Sequence, residues 1–81
     1  MNKAQALHAS VVRMVPMYQE TAHWHAVWVE PVEHRELYEY LNENGLERGT
    51  NKSRNDFLVP IDNLFLFKDY KVAVEVKLKW G

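Results

Sequence analysis

The residues with the most chemical potential are the histidines. His23 and His25 lie two apart, so on a strand their imidazoles share a face. Glu30 or His34 approaches them if a turn follows. Two imidazoles with a carboxylate or a third imidazole make a first coordination shell for zinc or a similar ion, with water in an open position. His23, His25 and His34 are therefore the candidate metal ligands. A His-x-His pair without further spaced ligands is common by chance, so neither a metal nor a cofactor is assigned.

A second constellation is basic. The segment 47–55, ERGTNKSRN, brings Arg48, Lys52 and Arg54 together, and Lys77 and Lys79 follow near the end of the chain. Cations beside Tyr70 or Trp80 suit a single-stranded nucleic acid, held by charge and stacking. The chain as a whole has ten Lys and Arg against eleven Asp and Glu, a net charge of -1, and that balance weighs against nucleic acid. The third constellation is aromatic. Trp24 and Trp28, with Ala26 between them, stand about 13 Å apart if the segment is extended at roughly 3.3 Å per residue. Large-small-large spacing forms a groove for a ligand ring, a peptide or a second copy. The candidate ligand or interface residues are accordingly Trp24, Trp28, His23, His25 and Trp80.

Catalysis finds little support. Cysteine is absent, and Ser10 and Ser53 are not flanked by the glycines of a nucleophile elbow. The three glycines, Gly45, Gly49 and Gly81, are too scattered for a phosphate-cradling loop. Glu36 and Glu39 fall on a solvated helix face, where both stay ionised. The residues point to binding, with a nucleic-acid module as the first alternative and a small-ligand or metal-dependent enzyme at His23, His25 and His34 as the second.

These groups need elements to position them. The clearest helix runs from about Pro31 to Asn44: Pro31 suits the first position, Glu33 the positive end of the dipole, and Gly45 a left-handed cap. His34, Leu37, Tyr38 and Leu41 share its buried face, while Glu36, Glu39 and Glu43 face water. Strict alternation over Lys71 to Trp80 predicts a half-buried strand, with Val72, Val74, Val76, Leu78 and Trp80 on one side. Ala22 to Val29 reads as another strand, with Trp24, Ala26 and Trp28 on one face against His25, Val27 and Val29. Phe57 to Val59 and Leu64 to Phe67 give two shorter ones, divided by Pro60 and the turn-prone Asp62-Asn63. Residues 3–15 fit either a helix capped by Asn2 or, in the run Val11 to Val15, a strand; β-branched composition favours the strand there.

The pattern is α+β: an antiparallel sheet of four to five strands with one covering helix at about 31–44. At 81 residues the chain makes one domain. One helix covers one sheet face, so the aromatic surface left over is expected to be covered by a second copy, giving a homodimer; a small molecule or another protein is the alternative occupant. No run approaches the apolar length of a membrane span and no secretory leader is evident, which makes the cytoplasm the expected location.

Overall fold

The structure is a computed structural model that describes residues 2–49 and 56–81. Helix α1 (Lys3–Met14) leads through a 3-10 segment (Pro16–Thr21) to strand β1 (His25–Trp28). A short 3-10 turn at Pro31–Glu33 opens α2 (His34–Glu43), and β2 (Phe57–Ile61), β3 (Leu64–Phe67) and α3 (Tyr70–Trp80) follow. The sheet is antiparallel, in the order β1-β3-β2.

The α+β class is as expected, but the count differs: among the described residues three strands and three α-helices replace four to five strands and one helix. Both differences lie at the ends of the described chain. Residues 3–14 are helical throughout because Asn2 and Gln5 form a reciprocal cap. The Asn2 side chain accepts from the Gln5 amide at 2.8 Å, and the Gln5 side chain accepts from the Asn2 amide at 3.1 Å. Residues 70–80 are helical because Asp69 Oδ1 accepts from the Lys71 amide at 2.8 Å. Helical spacing then sends Ala73 and Val76 inward and leaves Leu78 81% exposed, an arrangement that a strand alternating at every second residue would not give.

The α2 region follows the sequence closely. Leu37 and Leu41 are buried, and Glu36, Glu39 and Glu43 are exposed. Gly45 takes φ +71°, its amide donates to the Asn42 carbonyl, and the Leu46 amide reaches back to Leu41 at 2.9 Å. That pair of bonds closes the C-terminus of the helix and folds Leu46 onto the core.

Pleating divides the core in two. Phe57, Phe65, Phe67, Val27 and Val29 face α2 and α3, whereas Leu58, Leu64, Leu66 and Trp24 face α1. The sheet face assigned to a second copy is thus covered by α1. On the other face, α2 and α3 are joined by Tyr40, which donates a hydrogen bond to Glu75 and meets Trp80 edge-on at 5.3 Å.

Two measurements test this packing. Leu41→Ala should destabilise the domain by about 2 to 4 kcal/mol by leaving a cavity, while Glu39→Ala, which removes only an exposed pair with Arg35, should cost under about 0.5 kcal/mol. Equal denaturation midpoints would refute the assignment of the helix face. The hydrogen bond to Glu75 raises the Tyr40 phenol from 10.0 to about 12, so the folded state holds a proton that the unfolded chain releases earlier. Stability from this contact is complete below pH 10 and is lost as pH rises from there through about 12. Tyrosinate absorbance should show a late step that Tyr40→Phe removes and Glu75→Gln moves to lower pH.

Candidate functional site

The β1 strand lies at an edge of the sheet, and its hydrogen-bond phase is fixed by its partner. The Val29 amide donates to the Asn63 carbonyl at 2.8 Å, and the register continues through Val27 with Phe65 and His25 with Phe67. Those residues therefore spend their backbone groups on β3. Ala26 and Trp28, in the alternate phase, direct theirs away from β3, along the outer edge.

Two helices wall that edge. Gln5, Ala9 and Val12 form one side from α1, and Tyr70, Val74 and Leu78 form the other from α3. Spacings of three and four residues place each set on one helical face. Between the walls lie a cavity of about 840 Å³ and a second of about 200 Å³. They share Asn2, Ala26, Val27 and Lys77, so they follow one another along the strand. The larger lies in the usual size range of ligand pockets, roughly 300 to 1,000 Å³.

The electrostatics of this groove differ from those of the chain. Lys3, Arg13 and Lys77 line it together with His8 and His25, and no Asp or Glu side chain is among the described residues that do so. Lys3 holds its ammonium 3.9 Å from the Trp28 ring centre, and the His25 ring meets Tyr70 edge-on at 5.1 Å. His8 is buried, with Nε2 at 3.5 Å from Thr21 Oγ1. Burial holds its imidazole below the usual histidine range; a hydrogen bond to the Thr21 backbone opposes the shift and the nearby His25 adds to it.

The structure separates several of the residues singled out in the sequence. Of the candidate metal ligands, His23 is exposed in the turn before β1, His25 faces Tyr70, and His34 is used elsewhere. His34 Nε2 lies 2.9 Å from the Val29 carbonyl, which can only accept, so this nitrogen carries the proton; the ring also packs edge-on against Phe65 at 5.2 Å. No three His, Cys, Asp or Glu side chains come together as a metal-binding group among the described residues. Trp24 is buried under α1, and Trp28 is half-buried beside it with Nε1 donating to Glu30 at 3.3 Å. Both still border the groove, whereas Trp80 packs on α2 through Tyr40 and Glu36.

The basic set is likewise divided. Arg48 bridges to Phe57 at the β2 edge, and Lys52 and Arg54 lie outside the described residues. Lys77 lines the groove, and Lys79 stands over the Tyr40 ring at 4.4 Å. The expected last strand would have aligned Lys77 with Lys79; on a helix, two residues apart means opposite sides. His8 and Arg13 were not singled out by sequence reasoning, and Tyr70 was named only as a stacking partner for nucleic acid. The signal was the helical period of residues 3–14 and 70–80, which a strand reading hides.

Comparison with protein-family models, curated proteins and solved structures finds no match to this chain.

The buried imidazole gives the site a measurable pH dependence. Because His8 binds its proton less readily folded than unfolded, stability present above about pH 6.5 is lost as pH falls from there through the lowered value. Melting at pH 7.5 and pH 5 should show a fall for the native chain that is reduced in His8→Leu. An identical fall in both would exclude His8 as its source.

Proposed function

We propose that this chain is a binding domain whose ligand is anionic and sits in the groove between α1 and α3, along the edge of β1. The observation that supports it most is the exclusion of acid from that surface. Eleven acidic residues are present in the chain, yet the groove draws on Lys3, Arg13, Lys77 and two histidines and on no described Asp or Glu. Cationic walls around partly desolvated backbone favour a ligand that brings both negative charge and hydrogen-bonding groups. Apolar side chains at Val12, Val74 and Leu78 add a surface against which the uncharged part of such a ligand can pack.

Self-association through the sheet, the expectation from composition, is the less suited reading. Its premise was an uncovered sheet face, and α1 covers that face. Two copies meeting at the β1 edge about a two-fold axis would instead bring Lys3, Arg13 and Lys77 of one toward those of the other. Nucleic-acid binding through segment 47–55 and the end of the chain would have to draw on cations from both edges of the sheet, with Arg48 at β2 and Lys77 over β1.

Amide shift mapping with a short polyglutamate as anionic probe tests the reading. At low salt the shifts should concentrate on α1, β1 and α3, and Lys77→Glu should weaken binding about tenfold, a change of about 1.4 kcal/mol. Lys77 is exposed, so the variant should fold as the native chain does. Absent shifts, or shifts spread evenly over the surface, would overturn the proposal.

A further inference from the structure

We infer that the occupant of the groove is an extended acidic segment of another protein, added to β1 as a fourth strand. This rests on the groove being an anion-binding site and goes further, because charge alone would be met by any small anion. The additional observation is the backbone. Ala26 and Trp28 present N–H and C=O groups toward the groove in the alternation that a strand supplies and a small anion does not.

The contrast between the two sheet edges strengthens the argument. At β2, Pro60 lacks an N–H, the register shifts between Leu58 and Ile61, and the first residue is already engaged: the Gly49 amide donates to Phe57 at 2.7 Å. Those are features that block further pairing. At β1 there is no proline, no glycine and no bulge, and the pairing with β3 runs without interruption from His25 to Trp28.

The occupant's chemistry follows from the walls. A strand projects side chains alternately to its two faces, here toward α1 and toward α3. Lys3 and Arg13 stand on the first side and Lys77 on the second, so carboxylates on either face of the incoming strand meet a cation. Val12, Val74 and Leu78 receive small apolar residues between them. A second copy of β1, His-Ala-Val-Trp, brings no carboxylate to those cations.

The test uses a blocked peptide of about eight residues alternating Val and Glu, long enough to overhang a four-residue strand. Its control is the same peptide N-methylated at successive central residues, which keeps the charge and removes the donors. Strand addition predicts that the first peptide slows amide exchange at Ala26 and Trp28 about tenfold or more, and that N-methylation weakens binding by at least about tenfold. Equal affinity for the two peptides, or equal affinity for free glutarate, would leave an anion site and overturn the strand. Binding by none of them would remove the anion site as well. Sedimentation of the free chain closes the remaining case: a dimer with Ala26 and Trp28 already protected would give the edge to a second copy and overturn the inference.

Discussion

A strand with no solvent-facing side chain sets the terms for this molecule. Leu64, Phe65, Leu66 and Phe67 of β3 are each 0% exposed, so both faces of the central strand must be covered by the chain itself. Leu64 and Leu66 take α1, while Phe65 and Phe67 take α2 and α3. The phenyl rings stack along the second face, Phe65 with Phe67 at 6.3 Å and with Phe57 at 6.4 Å, and Tyr38 closes edge-on at 5.7 Å. Without disulfides, a domain this small depends on such burial, and a helical layer on each face of three short strands supplies it.

The groove is a geometric consequence of that solution. Three strands spaced about 4.8 Å apart span roughly 10 Å between their outer axes, whereas two helices packed side by side stand 8–10 Å apart and are each about 10 Å wide. On the face that α2 and α3 share, the helix pair is therefore wider than the sheet. At the β2 edge the segment carrying Arg48 and Gly49 occupies the neighbouring space. At the β1 edge α1 and α3 overhang from opposite sides, and the space between them is the cavity. On α3, Val76 goes inward, Ala73 is buried at the boundary between core and groove, and Val74 and Lys77, each one position on from a buried residue, face the groove.

How much of this was legible in the sequence depended on whether one period excluded the other. In α2 it did: Leu37, Leu41, Gly45 and Leu46 fit a capped helix, and the glutamates fit only its outer face. The β2–β3 hairpin was legible because Asp62-Asn63 separates two apolar runs, and Asn63 takes φ +73° there. Residues 71–80 were ambiguous, since Val72, Val76 and Trp80 recur every four residues and also satisfy alternation at every second. Strict alternation carried the reading to strand; Asp69, free to cap the Lys71 amide, was the local signal for helix. That one difference also hid the site, because Tyr70, Val74 and Lys77 share a side only on a helix.

The same cations have two consequences at the β1 edge. An open edge beside exposed apolar residues such as Leu78 invites pairing with any extended hydrophobic chain. Lys77 and Arg13 oppose this, because an apolar strand lying between the helices would strip water from their charges without replacing it. An acidic strand replaces that water with carboxylate and so avoids the cost. Discrimination thus comes from a penalty on the wrong occupant as much as from attraction to the right one. Lys3 adds to it in a particular way: seated on the Trp28 ring, it holds a charge at the end of the strand where the second cavity opens. An edge that would otherwise be a hazard for so small a domain becomes selective through side chains that contribute little to the core.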